Sequence, residues 1–320
     1  MAAFDVIALG EALVDFLPER PGARVRDVET WKKCLGGAPA NVVVGIARLG
    51  GRSGMCGVTG EDELGHFITE ELAREGVDVT HVRHTAEGKT GIGFISLTAE
   101  GERSFLFYRH QAAEFQLGMQ DIDHAFLASA RVLHLGTNSL LLPSAREASL
   151  AAARAAKARG QIVSCDPNLR LHLWKEPAQL RALLDELLEC CSVVKLSDEE
   201  IEFVTGEKEP TRALACLRSR GVALPIVTLG AKGAALLPGG VEVWVPSPSV
   251  QVVDTTGAGD GFTAGLLFSV TRVASNHAQL AALTAAQLEP MARFACRVGA
   301  RVVTKLGAIA GLPRMAELEA

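Results

Sequence analysis

Short apolar runs alternate with helical patterns along most of this chain, and that alternation limits the fold more than any other feature. Phe4–Leu9 is apolar at nearly every position, as a strand buried on both faces would be. Residues 55–58, 132–135, 162–165, 193–196 and 226–229 read the same way. Helical patterns lie between them. Pro39 suits the first turn of a helix that Gly50 stops, and Asp62 caps a helix over 63–75 that Gly76 ends. Further helices are predicted over 144–159, near 179–188, from the capping run Ser197-Asp198-Glu199-Glu200, and over 211–220. Such a series implies a mostly parallel sheet covered by helices on both faces. Two β-rich runs, 90–97 and 103–108, interrupt it; residues 98–102 join them as a hairpin, which predicts a small accessory sheet or lid. Short β segments run on to Val245, a helix is expected from about 278 to 298, and a segment at 302–304 and Gly307 follow it.

Near the C-terminal third, Val252-Val253-Asp254-Thr255-Thr256-Gly257-Ala258-Gly259-Asp260 leads into Gly261-Phe262-Thr263. Val250, Val252 and Val253 read as a short strand, and Gly265 to Phe268 follow a helical pattern. A glycine-rich turn that opens a helix admits an anion closely, since glycine takes φ > 0 freely and the first-turn N–H groups are unpaired. Two carboxylates, Asp254 and Asp260, bracket the turn. A carboxylate beside an anion site makes sense when it takes a proton from a hydroxyl while the amides hold the phosphoryl group under attack. The same Gly-x-Gly also serves as a mere tight connection between elements. Neither the dinucleotide fingerprint G-x-G-x-x-G nor the P-loop pattern fits here.

Composition excludes other classes. The chain has 320 residues, is 48% hydrophobic with 32 glycines, and so can bury a large core. A net charge of −5 gives no basis for nucleic-acid binding, and the basic cluster Arg20, Arg24, Arg26, Lys32 and Lys33 is interrupted by Asp27 and Glu29. Seven cysteines without framework spacing suit reduced thiols in a cytoplasm, and Cys190 and Cys191 read as small buried hydrophobes. No Cys or His cluster has zinc spacing, no run is long enough to span a membrane, and the first residues lack a signal-peptide pattern.

Polar residues fall just after several of the strands, where ligands of open α/β sheets bind: Asp15, Arg170, Glu200, Gly230 and Asp260. Gly36 and Gly37 precede a helix whose first turn carries Asn41, a side chain that both donates and accepts. The hairpin ends in Tyr108, Arg109 and His110, whose polar tips suit a substrate or a solvated edge equally.

Together these motifs resemble the PfkB/ribokinase family of sugar kinases, and within it the fructokinases, nearly end to end. Gly36-Gly37-Ala38-Pro39-Ala40-Asn41 is similar to the family's N-terminal signature, and Asp254 through Asp260 to its C-terminal one. Asp166-Pro167-Asn168-Leu169-Arg170 with Trp174, and Lys195 through Glu200, resemble the fructokinase branch. The resemblance implies a ribokinase-like three-layer α/β/α sandwich with a mostly parallel central sheet. It implies one sugar-kinase domain over 1–320, a β-sheet lid from segments near 12–33 and 85–112, and pairing of two copies through the lid. It implies Asp260 as catalytic base, with Gly257, Ala258 and Gly259 completing an anion hole. Asp15, Gly36, Gly37, Asn41, Tyr108, Arg109 and Arg170 would hold the sugar. Lys195, Thr228, Gly230, Gly233, Gly257 and Gly259 would line the nucleotide site. ATP would be co-substrate and Mg²⁺ would be influenced by Glu200 through water, although Ser197 stands where the family motif has asparagine. Asp254 and Thr256, with carbonyls near Lys305 and Gly307, would form a K⁺ site.

The implied activity is transfer of the γ-phosphate to a primary sugar hydroxyl, with the helix N-terminus keeping Asp260 ionised. Three other readings compete: a 2-keto-3-deoxygluconate kinase, a non-catalytic sugar-binding regulator on the same scaffold, and, more distantly, a dinucleotide oxidoreductase. An acid sugar needs cations for its carboxylate, which Arg109 and Arg170 supply. Pro39, Ala40 and the hairpin end resemble fructokinases instead, and favour phosphorylation of D-fructose at its 6-hydroxyl.

Overall fold

The computed structural model describes residues 2–19, 22–97 and 103–319. Arg20 and the expected hairpin turn at 98–102 lie outside the described residues. The strands are β1 (Phe4–Leu9), β2 (Leu13–Pro18), β3 (Trp31–Gly36), β4 (Ser53–Gly60), β5 (Asp78–Thr85), β6 (Ile92–Leu97), β7 (Arg103–Tyr108), β8 (Ala130–Leu135), β9 (Ile162–Cys165), β10 (Val193–Ser197), β11 (Leu224–Thr228), β12 (Ala234–Leu236) and β13 (Val243–Val245). The helices used below are α1 (Ala38–Arg48), α2 (Glu63–Arg74), α3 (His124–Ala128), α4 (Pro143–Ala158), α5 (Pro177–Leu188), α6 (Ile201–Thr205), α7 (Pro210–Ser219), α8 (Ala258–Thr271), α9 (His277–Ala281) and α10 (Ala285–Val302).

Among the described residues nine strands form one sheet in the order β13-β12-β11-β10-β9-β8-β1-β4-β5. Neighbours from β11 to β5 run parallel, and β12 and β13 add antiparallel at one edge. Alternate residues of each strand feed opposite cores, as the pleat requires. Ile7 and Leu9 pack with α4, α5, α6 and α7 on one face, and Val6 packs with α1, α8 and α10 on the other. This is the three-layer α/β/α sandwich that the alternating pattern implied.

A second, four-stranded sheet in the order β3-β2-β6-β7 stands beside it. The antiparallel β6–β7 pair was legible as a hairpin; β2 lies within the 12–33 segment that the resemblance implied, and β3 starts in it and runs on to Gly36. Asp15 therefore sits inside a strand rather than in a loop after β1.

Two further expectations are corrected. Residues 250–253 form no strand. Val252 and Val253 are exposed, and the N–H groups of Val253 and Asp254 donate to the Val303 carbonyl rather than to a ladder. The helix expected over 278–298 is two helices, α9 and α10, with Thr284 capping the second through Gln287; α10 runs on to Val302.

Candidate active site

A cavity of about 590 Å³ opens where the parallel strands end at their C-terminal edge and the small sheet leans over them. Glu11 follows β1, Asn138 follows β8, Asp166 follows β9, Ser197 ends β10, and Thr228 ends β11, with Gly230 just beyond it; all line the cavity. Ile95 and Phe107 come from the small sheet.

Asp260 is the third residue of α8, and the chain enters that helix through Gly257 at φ 80°. A Cβ on Gly257 would collide with Ala308, so both backbone angle and packing demand glycine there. Asp260 is buried, and its Oδ2 accepts a 2.7 Å hydrogen bond from Asn41 Nδ2 in the first turn of α1. Burial pushes the Asp260 carboxyl up to about 6; Asp166 adds to the rise, and the Asn41 bond opposes it. A carboxyl at that value is mostly ionised at neutral pH, as a base requires.

Beside it, Lys195 Nζ lies 2.8 Å from Asp166 Oδ2, both groups buried. Burial opposes the Lys195 charge, but Asp166, Glu200 and Asp260 outweigh it and hold the ammonium above its ordinary value. The ammonium packs against the glycine turn: a Cβ on Gly259 would come within 2.8 Å of Lys195 Nζ. The Lys195 ammonium, Gly259 and Asp260 thus line the same space, and a helix N-terminus beside a cation is an arrangement suited to phosphate. The Ala258 N–H instead donates to the Thr255 carbonyl at 3.3 Å, and Ala258 does not line the cavity.

At the opposite end, Asp15 projects from β2. A Cβ on Gly36 would overlap its carboxylate, and one on Gly93 would come within 2.7 Å of Oδ1. Gly36 thus gives the carboxylate room and is itself absent from the cavity wall, whereas Gly37 is in it. Burial raises the Asp15 carboxyl to about 7 against the pull of Arg109 and Arg170. Arg109 lines the cavity; its Nε donates to Glu114 Oε1 at 2.8 Å, and its buried Nη2 has no hydrogen-bond partner among the described residues. Arg170 Nη1 donates to Asn168 Oδ1 at 2.7 Å.

Tyr108 is placed differently from the expectation. Successive strand residues face opposite ways, so Phe107 lines the cavity while Tyr108 is exposed on the outer face. There it joins Phe16, Trp31 and Phe94, with Phe16 stacked on Phe94 at 5.0 Å. Gly233 is likewise outside the cavity wall: it has φ 106° and packs against the backbone of residues 245–247.

Two expected ion sites can be tested on their donors. Among the described residues no three His, Cys, Asp or Glu side chains cluster to hold a metal. Glu200 accepts from Leu169 N, Ser197 N and Ser197 Oγ at 2.6 to 2.8 Å. Such a group fits Mg²⁺ only through water, with the ion carried by phosphates. Asp254 is buried without an ion-pair partner among the described residues, its oxygens taken by Thr256 N, Thr256 Oγ1 and Gly307 N. A buried carboxylate lacking a cationic partner fits a neighbouring monovalent ion.

Sequence reasoning missed Glu11, Asn138 and Glu114 and gave Asp166 no role. The rule that found Arg170, residues just past strand ends, also covers Asn138 and Asp166.

A buried carboxylate set against a helix N-terminus, at the strand ends of an α/β/α sandwich, defines a phosphotransferase-type site for hydroxyl acceptors. The comparisons give the particular family: the description "pfkB family carbohydrate kinase" matches residues 3–315, and the chain belongs to that family. It is 36% identical over 313 residues to Fructokinase-2 of Solanum habrochaites, covering 98% of this chain and 94% of that protein. A fructokinase from Xylella fastidiosa, solved with bound ATP, superposes with a TM-score of 0.89 at 32% identity, covering 98% and 97% of the two chains. A fructokinase from Vibrio cholerae O395, in a form with fructose, ADP and calcium, gives 0.86 at 35% identity, again covering 98% and 97%.

Proposed function

We propose that this carbohydrate kinase is an ATP-dependent fructokinase that phosphorylates D-fructose at its 6-hydroxyl, with Asp260 as general base. The observation that carries the reading is the position of Asp260: buried, hydrogen-bonded to Asn41, and in the first turn of a helix whose Gly257 and Gly259 line the same cavity. Asp15, Gly37, Asn41, Arg109 and Arg170 hold the sugar. Lys195, Thr228, Gly230, Gly257 and Gly259 line the nucleotide site.

In the reaction, Asp260 takes the 6-hydroxyl proton as the oxygen attacks the γ-phosphorus in line, and the bond to the β-phosphate oxygen breaks. The Gly259 and Asp260 amides and Lys195 stabilise charge on the transferred group. Glu200 would hold Mg²⁺ through water, and the ion would supply neutralisation of phosphate charge when bound. Asp254 and Thr256, with carbonyls near Lys305 and Gly307, would hold K⁺.

The domain reading belongs to the same proposal: one domain over 1–320, with the small sheet as a lid that closes over the sugar and excludes water. Its outer aromatic face pairs two copies into a homodimer, which sedimentation of wild type against Tyr108→Glu tests. Unpaired cysteines support a reducing, cytoplasmic setting, and no described helix is long and apolar enough to cross a membrane.

The 2-keto-3-deoxygluconate reading is weaker because the Arg109 charge at the sugar end is already paired with Glu114, and Asp15 and Glu11 line the same cavity. An ADP-release assay across a panel of sugars, with phosphorus NMR of the product, tests the assignment. Preference for the acid sugar, a 1-phosphate product or absence of turnover overturns it.

A further inference from the structure

Glu11 occupies a position that the reaction as described leaves unused. It follows β1 directly after Gly10 and is 5% exposed, yet it lines the cavity. Its Oε1 accepts a 2.8 Å hydrogen bond from Asn138 Nδ2, while its buried Oε2 has no hydrogen-bond partner among the described residues. Two elements fix this geometry. β1 and β8 pair in parallel with Leu9 opposite Leu135, so the residues just beyond both strand ends meet at the sheet edge. The backbone of Glu11 is also locked, since Gly37 lies so close that a Cβ there would come within 2.6 Å of the Glu11 carbonyl oxygen.

A buried carboxylate oxygen without a donor is costly, and native proteins keep such atoms where something else supplies the donor. Neutral sugars carry hydroxyl donors on every side. The charges nearby define what kind of ligand is tolerated. Glu114 senses the Glu11 charge, and its own Oε2 is also unpartnered among the described residues. Asp15 lies on the same cavity wall. Arg109 bears on two of these carboxylates: one edge serves Glu114, and its charge acts on Asp15.

We propose that Glu11, oriented by Asn138, is a specificity-determining residue: its free oxygen accepts a hydroxyl of a neutral sugar, and its charge excludes substrates carrying a carboxylate at that end. This rests on the reading that a neutral ketohexose fills the cavity. Asn138 acts through Glu11 and is a positioning residue. The device is rejection by a buried like charge, which discriminates more steeply than a missing attractive contact.

Glu11→Gln keeps the shape, removes the charge and places an amide donor where the acceptor was. The expected result is a KM for fructose raised about tenfold or more, with the KM for ATP within about twofold. The kcat/KM for 2-keto-3-deoxygluconate relative to fructose should rise at least about fivefold. Asn138→Ala leaves the charge but loosens its aim: the fructose KM should rise about threefold or more while rejection of the acid persists. Circular dichroism and thermal melts establish that each variant folds; if Glu11→Gln does not, Asn138→Ala decides, and an unchanged fructose KM overturns the inference. An unchanged fructose KM and acid-to-neutral ratio in folded Glu11→Gln also overturns it. The functional reading fails separately, in the wild type: if another neutral sugar is preferred, the same variants are measured with that sugar, and if the acid sugar is preferred, both readings fall.

Discussion

Asn41 and Asp260, 219 positions apart in the chain, meet in a 2.7 Å hydrogen bond that joins the first turn of α1 to the first turn of α8. Nδ2 donates and Oδ2 accepts, which leaves Oδ1 of the aspartate for a substrate proton. The two signature glycine turns, one for each helix, thus converge on one carboxylate. Asn41 Oδ1 itself has no hydrogen-bond partner among the described residues, so it is open to accept from a ligand hydroxyl.

Asp260→Asn should lower kcat by on the order of 10²–10⁴-fold while leaving sugar and nucleotide affinity nearly intact, because asparagine keeps the shape but is a very poor base. The same variant should be more stable than wild type at high pH. A carboxyl raised to about 6 in the fold favours the native state only while protonated, and that advantage disappears as pH rises through the folded value. Above pH 7 the ionised buried group therefore costs on the order of 3 kcal/mol relative to an unperturbed one. Calorimetry at pH 8 should show a higher Tm for Asp260→Asn, with the gap closing below about pH 4. A variant active within a few-fold of wild type would remove Asp260 from its role.

The pH profiles should separate the two aspartates. Asp15 is raised to about 7 and Asp260 to about 6, and both act ionised, so lowering the pH removes each in turn. In the free enzyme both protonations count, so log kcat/KM for the sugar should fall with a slope approaching 2 below about pH 6. In the ternary complex, bound hydroxyls hold Asp15 ionised, so log kcat should fall with a slope of 1. A kcat/KM profile that stays flat to pH 5 contradicts this assignment.

Much of this arrangement was legible in the sequence, and the parts that were not share physical causes. Strands β1, β8, β9, β10 and β11 are buried on both faces and read as continuous apolar runs. β2 and β3 are not: β3 carries Lys32 and Lys33 side by side, so no alternation marks it. Val250, Val252 and Val253 mimic a strand by composition, yet they are exposed, and among the described residues only Val253 of the three donates its N–H, to the carbonyl of the distant Val303 helix cap. Alternation showed that Phe107 and Tyr108 point opposite ways but not which one faces the substrate. The Glu11–Asn138 and Arg109–Glu114 pairs depend on strand register and on a loop return, neither of which is encoded locally.

Arg109→Ala should raise the KM for sugar at least about tenfold and change the KM for ATP little, because a guanidinium makes oriented bonds that alanine cannot replace. Glu114→Ala should give a weaker version of the same phenotype, since the arginine keeps its charge but loses the 2.8 Å bond that aims it. Steady-state kinetics with each substrate varied in turn checks this; equal effects on both substrates would remove Arg109 from the sugar end.

Two glycine-to-alanine changes should have opposite kinetic signatures. At Gly36 the new methyl overlaps the Asp15 carboxylate, so Gly36→Ala should displace that group and raise the sugar KM with little change in nucleotide affinity. At Gly259 the methyl comes within 2.8 Å of Lys195 Nζ, inside the space read as the phosphate site. Lysine is flexible at its far end and will move aside, but the ammonium then leaves both Asp166 and the turn amides. Gly259→Ala should therefore lower kcat by about 10²-fold, the scale of losing one preorganised charge partner of the transition state, and weaken ATP more than sugar. Measuring both KM values and kcat for the two variants side by side decides the matter. If Gly259→Ala impairs only sugar binding, or Gly36→Ala only ATP binding, the division of the cavity into a sugar end under the small sheet and a phosphate end at α8 is wrong.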